Sequence, residues 1–335
     1  MHDAPSPQLF FETINAFQRT AALKAAVDLE VFTALAEGPA PAEVLAARLS
    51  CPVRGIRILA DNLVVLGFLT KAAAGYTLTS SSAVFLDKKS PAYIGGAVRF
   101  LLAPALTEAF GDLASTIRQG RLHTTEHGTT APDHPAWVQF AEAMRPLMTA
   151  AAQGAAALVP LDTGRATRIL DISASHGAFG IAFASKSPRC QLVALDWESV
   201  LAVTRGNAAA AGLADRFSVI VGDAFTVDLG RDYDLVLVPN FLHHFSAEQC
   251  VGFLRRVRAA MRPGGRVVIV EFVPNEDRVS PAASASFSLV MLGTTPSGDA
   301  YTFAEYAEML SAAGFHGPTL HPLPPTAQSL VLASA

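Results

Sequence analysis

The sequence predicts an α/β chain: a C-terminal, doubly wound and mostly parallel sheet, preceded by a mainly α-helical N-terminal domain. Three observations carry this. From residue 168 onward, short apolar runs that read as strands alternate with helical stretches across short turns. Before residue 95 the apolar period is helical and closes on a small hairpin. The length of 335 residues, half of them apolar, suffices for two cores. The expected organisation is a winged-helix-like domain over 1–95, connecting helices over 96–160 that contribute to a substrate pocket, and a ligand-binding sheet domain over 161–335.

The first helical period runs over 8–36 through Leu9, Phe10, Ile14, Phe17, Ala21, Leu23, Ala26, Leu29, Phe32 and Leu35, and Glu37-Gly38-Pro39 stops it. Pro41–Leu49 and Val53–Leu66 read as two more helices. Phe68–Thr70 and Gly75–Thr79 read as a hairpin. Three helices and a hairpin make a winged helix, for which the sharp reading is DNA binding. Residues 1–95, however, hold eight Lys or Arg against eight Asp or Glu. The helix that would read DNA carries Arg54 and Arg57 and then turns apolar through Ile58, Leu59, Leu63, Val64 and Val65, whereas a DNA-reading face is basic. An apolar first helix instead needs a partner surface, and a homodimer through this domain supplies one.

Composition narrows the partners further. A net charge of −4 gives no general attraction to nucleic acid or to an anionic membrane. Cys51, Cys190 and Cys250 lie far apart, with neither disulfide nor zinc spacing. The first residues, MHDAPSPQLFF, lack a basic segment followed by an apolar one, and no stretch of about 18 apolar residues spans a membrane, so a cytoplasmic protein is expected.

Two further helices are expected over 91–120 and 135–160. Between them, His123-Thr-Thr-Glu126-His127 has the form of a zinc motif, but Thr, Gly128 and Pro132 argue for a polar surface loop rather than a helix with both imidazoles on one face. Trp137, Phe140, Met144, Leu147 and Met148 follow at helical spacing. Such a stripe is core, or it walls a pocket at the domain boundary; the residues leave both open.

The sheet domain begins with the most informative stretch, 168–196. Arg168–Ile172 is a strand holding Asp171, Ser173–Gly177 is a run of small residues with one His, Phe179–Ala184 begins a helix, and Gln191–Leu195 is a second strand ended by Asp196. Small residues after a strand let a ligand approach the backbone, and an acid ending the next strand is placed to bind ribose hydroxyls. This is a nucleoside site. Ser173 and Ser175 stand where a dinucleotide fingerprint requires glycine, and further polar groups recur at later strand ends, in Gly222-Asp223-Ala224-Phe225 and Pro239-Asn240. Several carboxylates around one nucleoside suit a cationic sulfonium, S-adenosyl-L-methionine, better than a pyrophosphate.

The next strands are Phe217–Val221 and Tyr233–Val238, then Arg266–Val273 with Glu271, and Ser329–Leu332; helices are expected near 246–262 and 302–313, each closed by glycine. Phe241-Leu242-His243-His244-Phe245 follows the fourth strand at the ligand end of the sheet. An imidazole there takes a proton near neutral pH, and Glu271, on the next strand, is placed to accept from the other ring nitrogen and fix the tautomer.

These segments together resemble the class I S-adenosylmethionine-dependent O-methyltransferases of small molecules that carry an N-terminal dimerisation domain. The resemblance covers nearly the whole chain: the winged-helix start, LDISASHGAFGIA (170–182), LDW (195–197), GDAF (222–225), FLHHFSAEQC (241–250), RPGGRVVIVEFVP (262–274) and YTFAEYAEMLSAAGF (301–315). It implies a Rossmann-like seven-stranded sheet, with the cofactor held by Asp171, Ser173, Ser175, Gly177, Asp196, Trp197, Asp223, Ala224, Phe225 and Asn240 and no metal. It also implies that His243 is the base, Glu271 its support, and the acceptor a small aromatic or polyketide-like hydroxyl. Phe140, Met144, Phe287 and Met291 are the pocket candidates. Departures accompany it. The family's glycine run is Ser173-Ala174-Ser175 here, so Ser175 crowds or hydrogen-bonds the methionine carboxylate; His244 stands where the family has Asp and Phe245 where it has Trp. A second family acid falls near Ala300, with only Asp299 adjacent. The tandem His243-His244 also suits deprotonation of an activated carbon or, with one more ligand, a metal. C-methylation of a natural-product precursor, or a relative that does not methylate, is the alternative.

Overall fold

The structure, a computed structural model, describes residues 5–162 and 164–335. The chain divides into two compact units, Met1–Val98 and Arg99–Ala335.

In the first unit the helices are Gln8–Ile14, Ala16–Asp28, Val31–Ala36, Ala42–Arg48, Val53–Val65 and Ser80–Phe85, with strands β1 (Leu69–Ala72) and β2 (Gly75–Leu78) forming an antiparallel hairpin. The single helix expected over 8–36 is thus three, broken at Asn15 and again at Glu30, whose backbone is left-handed (φ 59°). Phe32, Leu45, Leu63, Leu69 and Tyr76 fill the core. Asp61 accepts from Tyr76 Oη at 2.8 Å and pairs with Lys71 and Arg57, so Arg57 is engaged within the unit. The Gln8–Ile14 helix buries no residue; Leu9, Phe10, Phe11, Ile14 and Phe17 are exposed, Phe10 at 63%. Among the described residues no helix is long and apolar enough to cross a membrane.

The second unit is built on a seven-stranded sheet: β3 (Thr167–Ile172), β4 (Cys190–Asp196), β5 (Phe217–Val221), β6 (Tyr233–Pro239), β7 (Met261–Glu271), β8 (His316–Pro322) and β9 (Ser329–Ser334), in the order β5-β4-β3-β6-β7-β9-β8. The first five strands are parallel, and β9 pairs antiparallel with both β7 and β8. Strands buried on both faces by flanking helices are near-continuous runs of Val, Ile and Leu, and β3, β4, β6 and β7 are. Helix Ala247–Ala260 presents Phe253, Leu254 and Val257 to one face of this core. The chain turns from β4 to β6 on either side of β3, so the topological switch, and the crevice it opens beyond the strand ends, lies at β3.

Four local expectations are corrected. β8 was not among the strands placed from the residues, because Gly317, Pro318 and Pro322 hide an edge strand that alternates poorly. β7 starts at Met261, through a register shift, and ends at Glu271 rather than at Val273. The stretch 91–120 is not one helix but a chain of short ones, the longest Leu113–Gln119, interrupted before Pro104 and at Gly111. The helix over 135–160 breaks at Met144, where Pro146 restarts it, giving Ala136–Ala143 and Arg145–Leu158.

Candidate active site

The turn after β3 is wound tightly against the end of β4. Ser173, Ser175 and Gly177 all have left-handed backbone (φ 51°, 52° and 74°), a conformation that costs a residue with a side chain about 1–2 kcal/mol. The turn is held from both sides. Ala174 N donates to Leu195 O at 3.0 Å, Ser175 N donates to Asp196 Oδ2 at 2.8 Å, and the Thr204 hydroxyl donates to Ser175 O. Asp196 Oδ1 takes the Trp197 N–H at 2.8 Å. Burial, helped by the charge of Asp133, lifts the Asp196 carboxyl to a pKa of about 6.

Asp171 is fully buried. Its Oδ2 accepts from Gly180 N at 2.9 Å, tying the following helix (Ala178–Ala184) to β3, and its Oδ1 has no partner. Burial, with Asp196 nearby, raises its pKa to about 8. His176, which the site reading passed over, is also buried and stacks on Phe140. Its Nδ1 accepts from Ala178 N, so Nε2 carries the hydrogen and has no partner; burial and then Arg145 push its pKa to about 3. At the end of β5, Asp223 Oδ1 accepts from Phe225 N at 2.9 Å, Ala224 is buried, and the Phe225 ring packs on Phe241, Phe245 and Phe253. Asn240, left-handed at φ 52°, has its amide engaged by Gln328 and, at 3.7 Å, by Met148 Sδ.

Beyond β6 the chain makes one 3-10 turn, Leu242–His244. Glu271, at the end of the neighbouring β7 and wholly buried, organises that turn. Its Oε1 accepts from Phe241 N at 2.9 Å and Leu242 N at 3.0 Å, and its Oε2 pairs with His243 Nδ1. His243 is 4% exposed, and its Nε2 lies 3.1 Å from His244 Nε2. Burial, followed by the neighbouring His243, holds the His244 imidazole well below its ordinary pKa. Gly298 presses on the backbone beneath both rings; a Cβ there would sit 2.2 Å from His243 O. Asp299 turns away, accepting from Ala300 N and pairing with Arg278.

Aromatic rings join these parts. Phe287 meets the His243 ring edge-on at 4.9 Å and stacks on Phe272, Trp137 meets His244 at 5.1 Å, and Phe140 contacts Trp137 and Phe100. A run of ring contacts therefore extends from His176, beside the β3 turn, through Phe140 and Trp137 to the two imidazoles and Phe287. Met144 and Met291 are buried. Trp137 is fixed by the segment read as a plain surface loop: its Nε1 donates to Thr129 O at 2.9 Å, and Thr129 Oγ1 donates to Thr294 O at 3.1 Å. Gly128 lies so close to Thr294 that a Cβ would be 2.2 Å from its carbonyl oxygen. His123 in the same loop pairs with Thr116 Oγ1 at 2.8 Å. A cavity of about 630 Å³ lies nearby, lined by Arg121, Ser246, Leu292, Gly298 and Asp299 among others, but neither imidazole reaches it.

A doubly wound sheet with a left-handed turn at its switch point, an acid ending the next strand and an acid-held imidazole beside them has the form of an α/β enzyme with a nucleoside crevice. Residues 110–316 match the O-methyltransferase domain and residues 11–88 the O-methyltransferase dimerisation domain, and the chain belongs to this family of S-adenosylmethionine-dependent O-methyltransferases. It is 31% identical to the 3-hydroxy-5-methyl-1-naphthoate 3-O-methyltransferase of Streptomyces sahachiroi, over 92% of this chain and 89% of that one. A Nostoc punctiforme PCC 73102 crystal structure, provisionally described as an O-methyltransferase, is 50% identical and superposes with a TM-score of 0.96 over 99% of this chain and all of that one. Human N-acetylserotonin methyltransferase in complex with S-adenosylmethionine shares the fold, at 24% identity and a TM-score of 0.85, covering 100% of this chain and 99% of that one.

Proposed function

We propose that this chain moves the methyl group of S-adenosylmethionine onto a hydroxyl of a small, flat, largely apolar aromatic molecule, with His243 as general base. The single observation that carries the assignment is the His243 imidazole fixed through Nδ1 by the buried Glu271, at the end of the sheet where the β3 turn opens. A phenol with a pKa near ten attacks poorly until its proton is accepted, and an imidazole held by a carboxylate both accepts the proton and is stabilised once charged.

The residues around the turn fit the donor. Asp196 gives one hydrogen bond acceptance per oxygen to backbone N–H groups, leaving lone pairs for a ribose diol. Ser175 Oγ and His176 Nε2 are buried polar atoms without protein partners, and such atoms ordinarily have one. Asp196, Trp197, Asp223 and Phe225 would hold the nucleoside, and Ser173, Ser175 and Gly177 the amino-acid end; Asp171 supports them from below. When bound, the sulfonium supplies an activated methyl group. The chain's own work is to position the acceptor, exclude water and receive the hydroxyl proton.

Phe140, Trp137, Phe287 and Met291 would flank the acceptor, which agrees with the naphthoate named for the Streptomyces relative. The exposed Leu9, Phe10, Phe11, Ile14 and Phe17 support a homodimer through the N-terminal unit, since a contiguous apolar surface of this kind marks an interface. The test is incubation with methyl-labelled donor and a panel of hydroxynaphthoates and phenols, with product NMR. Label on oxygen is expected, and His243→Ala lowers turnover about 10²–10⁴-fold while calorimetric binding of S-adenosylhomocysteine persists. Label on carbon, or undiminished turnover in the variant, would remove the assignment.

A further inference from the structure

We infer that the acceptor's proton reaches His243, the base proposed above, by way of His244: the His244 imidazole meets the hydroxyl, and the two imidazoles form a relay. The inference rests on the methyl transfer proposed above and specifies which atoms handle the proton.

Hydrogen placement decides it. Glu271 Oε1 already accepts two backbone N–H groups, from Phe241 and Leu242, so the group acts as a carboxylate acceptor toward His243. His243 therefore carries its hydrogen on Nδ1, and its Nε2 is a bare lone pair. Yet that lone pair is not free: His244 Nε2 stands 3.1 Å away. Two ring nitrogens at this distance share one hydrogen, which His244 must supply. His244 is thus the Nε2–H tautomer, and its Nδ1 is the remaining acceptor. That Nδ1 is buried and without a partner. It is the one unpartnered proton acceptor of the Glu271–His243–His244 line, and an acceptor hydroxyl would reach it only by displacing what covers it.

The acceptor O–H gives its proton to His244 Nδ1, and the oxygen keeps the bonding pair and forms the bond to the methyl carbon. The carbon–sulfur bond breaks, its pair returning to sulfur as a thioether. His244 Nε2–H passes to His243 Nε2, and the resulting imidazolium is held by Glu271 until solvent takes the proton. His244 ends neutral, in the other tautomer. Its surroundings favour passing over keeping charge: burial and His243 hold it below its usual pKa, the only carboxylate of the line lies behind His243, and the Trp137 ring beside it has its indole N–H engaged by Thr129. Gly298 packs against the backbone of both residues, where a Cβ would stand 2.2 Å from His243 O and 2.9 Å from the His244 carbonyl carbon.

Two measurements test this. Imidazole ¹⁵N NMR on the unliganded protein is expected to show His244 protonated at Nε2 and unprotonated at Nδ1, with the reverse for His243. A hydrogen on His244 Nδ1 overturns the relay whether or not methyl transfer is ever observed. The second compares a phenol that is protonated at the assay pH with one already ionised. His244→Ala is expected to lose about 10²–10⁴-fold on the first and to stay within a few-fold of the parent on the second, with S-adenosylhomocysteine binding unchanged. His244→Asn, which keeps a polar atom near Nδ1 but cannot relay, should behave alike. Equal losses on both phenols, or none on either, overturns the inference. If the parent methylates neither phenol, the methyl-transfer reading fails, and the NMR result still decides the relay.

Discussion

Glu271 and His243 are joined through the imidazole Nδ1, and the same carboxylate closes the turn on which the imidazole rides, by taking the N–H groups of Phe241 and Leu242. One buried acid on β7 thereby sets the position of the ring, its tautomer and the direction in which its lone pair points. This ties the chemistry of the β6 end to the register of the neighbouring strand.

Glu271→Gln separates those duties. Its amide oxygen can still accept from the turn, but its NH₂ now donates toward His243 Nδ1 and drives the ring hydrogen to Nε2. Turnover is expected to fall by about 10⁴-fold, as when the acid of a catalytic triad becomes an amide, while donor binding changes little. Steady-state kinetics beside calorimetry checks this; a fall in binding matching the fall in turnover would contradict it.

Gly298→Ala acts on the same turn from below. The added methyl would stand 2.2 Å from His243 O and 2.9 Å from the His244 carbonyl carbon, both backbone atoms that cannot swing aside. A loss of about 1–3 kcal/mol in stability is expected, the range for overpacking. The loss in kcat should exceed any change in donor affinity, because the displaced atoms belong to the imidazole turn. Denaturant melts and kinetics together report it.

Asp171 gives a pH signature. Its folded pKa, about 8, lies above the unfolded value of 3.8, so between those limits the native state holds a proton that the unfolded chain has released. Stability from this group is therefore present at low pH and declines as pH rises toward 8, then levels off, with a slope of at most about 1.4 kcal/mol per pH unit. Asp171→Asn keeps an acceptor for Gly180 N and cannot ionise. Its stability relative to the parent should climb between pH 5 and pH 8 and flatten above, in urea melts at each pH; a pH-independent difference would contradict the assignment.

Much of this was legible in the residues because the sheet is buried on both faces: runs such as Leu192–Leu195 and Val267–Val270 have few other readings, and the turns after them hold the polar groups. Glu271 and His243 could be paired in advance for the same reason, since neighbouring parallel strands deliver their ends to one edge. The backbone demand at Ser173 and Ser175 was not legible. Serine in a left-handed turn leaves no mark in composition, although the family's glycines at these places have their physical cause in those angles. Nor was the part played by Gly128–Thr130 and Gly298. Their importance lies in contacts with Thr294 and with the His243 carbonyl, 166 and 55 residues away by sequence number, and a polar Thr-Gly stretch reads alike whether solvent or a helix end lies above it. The Trp137 stripe had two readings, core or pocket wall; the ring contacts to Phe140 and His244 support the wall reading used in the proposal, and the buried Met144 and Met148 belong equally to a core.

The indole of Trp137 has a single donor, and Thr129 already occupies it. In the acceptor site proposed above, the ring would therefore offer a guest its flat face and no hydrogen bond. Such a surface would favour planar over puckered molecules without counting their oxygens, and the choice among several hydroxyls would fall to whichever one the imidazoles can reach: regiochemistry would become a matter of depth and angle of entry.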